Sequence, residues 1–204
     1  METISEFQKS IRNSYSKIIE ECRSVLGSEL HYQAMVYHLL RALGKVPLSQ
    51  IGMNVKTTIE DCKTDFFKDR ITKKDKKFRS KNLEIIPDIS FYSNSLKADW
   101  RRRNYKNTLE KTIYSLEIKA SERNKGRLQF KEIETDFLKL KAQYNETKLK
   151  FNKEIGIGMM IIDVAPLENE RMKKETLNKI IELSKKLSID LWYFTQKENI
   201  EITY

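Results

Sequence analysis

A chain of 204 residues is long enough to bury one sizeable core and too short to divide comfortably into two, so a single domain over 1–204 is expected. Lys and Arg outnumber Asp and Glu by 39 to 29, and the formal charge of +10 suits a polyanion such as nucleic acid, although a bland basic surface gives the same total. Cys22 and Cys62 have neither metal-site spacing nor the makings of a disulfide framework, which argues against zinc and for free thiols in a reducing compartment.

The N-terminus Met1 to Glu6 is polar and acidic, unlike a secretory signal. Residues 3–26 then carry Ile4, Phe7, Ile11, Tyr15, Ile18, Ile19, Cys22 and Val25 at helical spacing, with Gly27 placed to stop the helix. Ser28 caps a second helix from Glu29 to Leu43, stopped by Gly44. Gln50 to Val55 reads as a first strand. Residues 60–82 are dominated by Lys, Asp and Arg and read as a solvated insertion. Strands are expected over Leu83 to Tyr92 and Ile113 to Ala120, joined by Asn94 to Lys111 as a loop or elongated hairpin. A helix from about Leu128 to Lys148 shows the stripe Ile133, Phe137, Leu140 and Tyr144. Ile155 to Val164 suits a strand buried on both faces, and its apolar run ends at Asp163, well short of a membrane span. A helix over Asn169 to Leu187 and a strand over Leu191 to Thr195 follow. The order predicts an α/β fold with a mixed sheet covered on its faces, and a soluble, cytoplasmic protein without membrane contact.

Two short motifs carry the chemistry. Pro87-Asp88 lies in one expected strand and Glu117-Ile118-Lys119 in the next. Alternation along a strand puts Glu117 and Lys119 on one face while Ile118 enters the core from the other. Mg²⁺ is bound by one or two carboxylates while keeping several waters, and such a water can attack a phosphodiester. Each motif alone is weak, since Pro-Asp is common in turns and Glu-x-Lys on solvated strands; their conjunction on adjacent strands, followed by a helix and a buried strand, is what raises the signal.

This arrangement resembles the PD-(D/E)XK nuclease superfamily, to which restriction endonucleases belong. The resemblance runs over most of 28–204, with 1–27 as an N-terminal helical addition and 60–82 as an unmatched insertion. It implies a restriction-endonuclease-like mixed central sheet flanked by helices. It also implies roles: Asp88 and Glu117 as metal-binding acids, the Ile118 backbone carbonyl as a further ligand, and Lys119 orienting or activating the attacking water, with Mg²⁺ or Mn²⁺ as cofactor. The 29 positions from Asp88 to Glu117 are many for two adjacent strands.

Several branches of the superfamily place a Glu on the helix before the sheet, where it binds a second metal or a metal-bound water; Glu29, in register with Val36, Leu40 and Leu43, fits that metal role and equally that of an acid complementing the helix dipole. His31 resembles the metal-binding His of the viral cap-snatching endonucleases, yet a lone helical His is more often a packing residue, and His38 reads as packing or surface. Gln143-Tyr144 approaches the Gln-x-x-x-Tyr of RecB-like members without matching it, and Tyr144 fits the apolar stripe. Arg101, Arg102, Arg103 and Lys106, interleaved with Trp100 and Tyr105, form the candidate nucleic-acid surface, which Lys125 and Arg127 could extend.

The reading is a Mg²⁺- or Mn²⁺-dependent endonuclease, acting on DNA rather than RNA in a restriction or defence setting, alone, as a homodimer or with a partner subunit. An RNA endonuclease of the cap-snatching type and an inactive nucleic-acid-binding module are the alternatives. No Gly-x-x-x-x-Gly-Lys run is present, so ATP-driven translocation would fall to a partner.

Overall fold

The computed structural model describes residues 1–78, 83–101, 105–121 and 128–204, with 72–78 and 105–106 described by their backbone alone. Along the chain run α1 (Ile4–Ser24), α2 (Glu29–Ala42), β1 (Ile51–Met53), β2 (Thr57–Ile59), α3 (Asp65–Phe78), β3 (Leu83–Ile85), β4 (Ile89–Tyr92), α4 (Tyr105–Lys111), β5 (Thr112–Ala120), α5 (Phe130–Phe151), β6 (Gly156–Asp163), α6 (Lys174–Leu187), β7 (Asp190–Thr195) and β8 (Asn199–Ile202).

Six strands form a mixed sheet in the order β1-β4-β5-β6-β7-β8. β5, β6 and β7 are parallel, while β1, β4 and β8 add antiparallel edges. Each parallel pair needs a crossover, and α5 and α6 supply them. The alternation of β6 shows both faces buried, as expected for so apolar a strand. Met160 and Ile162 pack with α1 and α2 around Ile11, Val36 and Leu40, while Met159 and Ile161 pack with Ile133, Phe137 and Leu140 of α5. α1 is rooted in the first of these layers: the Phe7 ring lies 4.7 Å from that of Phe91, and Thr3 and Glu6 close a reciprocal capping box at its start. The helix ends at Ser24 with Val25 extended, so Gly27 is not its stop.

Four expectations need correction. Leu83 to Tyr92 is not one strand, because Pro87 lacks an N–H and cannot continue a ladder. β3 instead joins β2 in a separate two-stranded sheet, and only β4 enters the main one. Gln50 to Val55 likewise reduces to the three residues of β1.

The stretch 60–82 is not simply solvated. α3 buries Phe67 against Ile59, Cys62, Leu83, Ile85, Leu109 and Ala142, a small second core under a charged exterior. Its entry is anchored by Glu146 of α5, whose carboxylate accepts the Lys63 N–H at 2.8 and 3.1 Å and the Thr64 N–H at 3.0 Å. Residues 79–82 lie outside the described residues.

Asn94 to Lys111 is neither a loop nor a hairpin arm, since α4 occupies its second half and Leu109 packs into that second core. Finally, β8 completes the sheet at an edge where every other residue is half-buried, a four-residue amphipathic strand too short for its pattern to stand out.

Candidate active site

Pro87 sets the geometry of the first carboxylate. Ile89 pairs with Leu116, so two more positions of that register would put Pro87 opposite Ile118, where a proline has no N–H for the Ile118 carbonyl. The Ile118 N–H goes to the Asp88 side chain: its Oδ2 accepts that N–H at 2.6 Å. The Asp88 carbonyl in turn accepts the Asn54 N–H at 2.9 Å, which ties the end of β4 to the turn after β1.

On β5, Leu116 and Ile118 enter the layer of α1 and α2. Glu117 and Lys119 project to the other face, toward α5. There α5 meets β5 through three polar rungs. Asp136 lies 3.1 Å from Lys119, Lys139 lies 2.5 Å from Glu117, and Gln143 donates to Ser115 Oγ at 3.0 Å. A helical turn advances about 5.4 Å and two strand residues about 6.6 Å, close enough for successive rungs to stay aligned. Asp136 also pairs with Lys139 at 3.4 Å, closing the network.

Glu29 comes from the opposite layer. It sits in the first turn of α2 and its Oε1 lies 3.4 Å from Lys119 Nζ. One further step of the β4–β5 register sets Asp88 opposite Glu117, and the two buried carboxyl groups perturb each other's titration. Four carboxylates thus surround two ammonium groups, a formal excess of two negative charges when all are ionised.

Burial dominates the titration of both central acids. It raises Asp88, against the opposing pull of the Ile118 N–H and Lys119. Burial pushes Glu117 up to about 8, with Lys139 resisting and the neighbouring Asp88 charge adding to the rise. For Lys119, desolvation works against the charge but Asp136 and Glu29 outweigh it, so the ammonium is held well above its ordinary value. Lys139 is raised in the same way: desolvation opposes, and Glu117 and Asp136 prevail.

Among the described residues no group of three or more His, Cys, Asp or Glu side chains is placed to hold a metal ion. The donor set nonetheless suits Mg²⁺ or Mn²⁺, which accept one or two carboxylates, a carbonyl and waters. Glu117 Oε1 is buried and without an aligned hydrogen bond; the Lys139 ammonium lies 2.5 Å from it, a cation already standing where positive charge is needed. A single divalent cation would cancel the formal excess of charge.

The structure brings together Asp88, Glu117, Lys119 and Glu29, with the Ile118 carbonyl beside them. His31 is not part of the group. It is exposed, edge-on to Tyr32 and packed against Gly27, and His38 is exposed as well. Arg101 is exposed and held in a forked pair by Asp99 at 2.7 and 2.8 Å. Arg102, Arg103, Lys125 and Arg127 lie outside the described residues, as do the side chains of Tyr105 and Lys106. Tyr144 is half-buried at the rim of the α5 layer with Lys141 over its ring.

Asp136 and Lys139 escaped the sequence reading. The signal that could have found them is the match between Ser115-x-Glu117-x-Lys119 and Asp136-x-x-Lys139-x-x-x-Gln143, two stretches whose partners lie on facing elements. No protein-family model, curated protein or solved structure matches the chain.

Proposed function

We propose that this protein is a metal-dependent endonuclease with a restriction-endonuclease-like fold, hydrolysing phosphodiester bonds of nucleic acid, with DNA in a restriction or defence setting as the preferred substrate. One observation carries the reading: Asp88, at a proline-broken strand end, stands opposite Glu117 with both carboxyl groups buried, and Lys119 lies one strand step further along the same face. Two buried like charges destabilise each other, so their juxtaposition is a poor device for folding and a good one for gathering a cation.

Asp88, Glu117 and the Ile118 carbonyl would hold Mg²⁺ or Mn²⁺. The ion, when bound, lowers the pKa of water and offsets charge on the phosphoryl oxygens. Lys119 keeps its proton and presents a fixed ammonium, held by Asp136 and Glu29, to orient the attacking water and stabilise the charge that develops on phosphorus-bound oxygen. Attack of water at phosphorus breaks one P–O bond and leaves a phosphate monoester and a free hydroxyl. Lys139 keeps Glu117 placed and partly neutralised before the ion arrives.

Glu29, rather than His31, reaches this cluster, which weighs against the cap-snatching RNA reading, whose pattern depends on the His. The test is cleavage of labelled double-stranded DNA, single-stranded DNA and RNA in Mg²⁺, Mn²⁺ and EDTA. Metal-dependent cutting should disappear in Asp88→Ala and Lys119→Ala; binding with no cutting under any of these conditions would assign the chain to the inactive-module class.

A further inference from the structure

A cleft of about 510 Å³ opens between α2, the edge strand β1 and Trp100. Two aromatic side chains line it, Tyr37 from α2 and Trp100. The Trp100 ring is braced at 4.8 Å by the fully buried Tyr92, so it is held in place without being covered.

The remaining wall is mixed: Ile51, Gly52, Met53 and Val55 stand beside Asn54 and Lys56, and its polar groups are backbone and two side chains. Because the Asn54 N–H points to β4, strand alternation turns the N–H and C=O of Met53 the other way, to the unpaired side of the sheet. Asn54 has its backbone in the left-handed region at φ 53° and its Nδ2 on Gln33 Oε1 at 3.3 Å. Lys56 lines the cleft, and Arg101 follows Trp100 with 63% of its side chain exposed.

Asn54 is therefore shared. It forms part of the cleft wall, and its N–H holds the main chain of Asp88. Through Asn54 the cleft wall and the residue bearing the first carboxylate of the pair share one main-chain hydrogen bond.

We propose that this cleft receives an unpaired nucleobase of the strand whose phosphate lies at Asp88 and Glu117, so that the protein acts on single-stranded or locally opened nucleic acid. The proposal rests on the nuclease reading and narrows its substrate. Rings read the faces of a base, and in a duplex those faces are covered by stacked neighbours; only an unstacked base can enter between Tyr37 and Trp100. The outward backbone of Met53 and the Asn54 amide supply donors and acceptors for the base edge, and Lys56 and Arg101, on exchanging their exposed partners Glu84 and Asp99, supply positive charge for the flanking phosphates.

The experiment measures binding in EDTA, so that no turnover intervenes. Labelled 12-nucleotide single strands and the same sequences as blunt duplexes are titrated into wild type, Trp100→Leu and Tyr37→Leu, with tryptophan emission followed in parallel. Single strands should bind more tightly than duplexes and quench emission. Each variant should weaken single-strand binding by about tenfold and leave duplex binding unchanged. Trp192 is fully buried, so Trp100→Leu should abolish the quench; Tyr37→Leu keeps the test decisive if Trp100→Leu melts early.

Equal affinity for both forms, or wild-type single-strand affinity in both variants, would overturn the proposal. So would quenching by an extended apolar peptide and not by the oligonucleotides, which would mean that β1 accepts an added strand. Metal-dependent cutting without single-strand preference removes the cleft proposal alone. Single-strand capture by the cleft with no metal-dependent cutting removes the nuclease reading instead and leaves a nucleic-acid site.

Discussion

The Lys139 ammonium on α5 lies 2.5 Å from the Glu117 carboxylate on β5, and the carboxylate side chain is only 3% exposed. This contact is the middle rung of three, with Asp136 and Lys119 on one side of it and Gln143 and Ser115 on the other. It fixes the facing of α5 on the sheet and supplies the nearest counter-charge to a buried acid.

Replacing Lys139 by Met should leave that acid without its partner. Removing one member of a buried ion pair costs about 3–5 kcal/mol. Urea unfolding of Lys139→Met above pH 8, where Glu117 is ionised, should show a loss of that order, much of it regained when Glu117→Gln is added. A single variant as stable as wild type would contradict the role given to the rung.

Glu117 also fixes a pH dependence. An ordinary Glu titrates near 4.5, and burial pushes this one up to about 8, with Lys139 opposing. Between those values the folded protein binds a proton that the unfolded chain has lost, so metal-free stability falls as pH rises from 4.5 to 8. The decline should be on the order of a few kcal/mol. Thermal melts in EDTA across this range should show it, and Glu117→Gln should flatten it; equal slopes in the two proteins would count against the shift.

Divalent cation should stabilise the fold. Binding to the native state alone raises stability by about 2.7 kcal/mol at a hundredfold excess over the dissociation constant. Mn²⁺ should therefore raise the melting temperature of wild type, and Asp88→Asn should respond little. An equal rise in both would place the ion elsewhere.

Glu146 should govern α3. Its carboxylate accepts the N–H groups of Lys63 and Thr64, and nothing replaces those bonds in Glu146→Ala. A loss of about 1–3 kcal/mol is expected for the stranded groups. Limited proteolysis should then cut within 65–78 faster than in wild type, and unchanged digestion would show the anchor to be dispensable.

Much of the sheet is legible in the sequence, since strands such as β5 and β6 have apolar cores and polar limits that fall within a residue or two of the observed ends. Asp88, Glu117 and Lys119 stand out for the same reason, as charges interrupting apolar strands. Asp136 and Lys139 do not. Each immediately precedes a core residue of α5, Phe137 and Leu140, where a half-buried charge looks like any solvated i,i+3 pair. Only the facing strand gives them meaning. α3 was hidden by its Lys and Asp content: among the described side chains Phe67 is fully buried and Phe66 and Ile71 only partly, too short a run for a stripe to show.

Hydrolysis of phosphodiesters at the Asp88–Glu117 pair with a divalent cation is the activity we propose. The most direct measurement is the release of labelled fragments from nucleic acid in Mn²⁺ by wild type and by Asp88→Asn, at equal concentrations of folded protein. The account predicts cutting by wild type that EDTA stops and a loss of at least a hundredfold in the variant, of the order removed with one electrostatic group at a reacting centre. Wild-type cutting that persists in EDTA, or a variant that cuts at the wild-type rate, would contradict it.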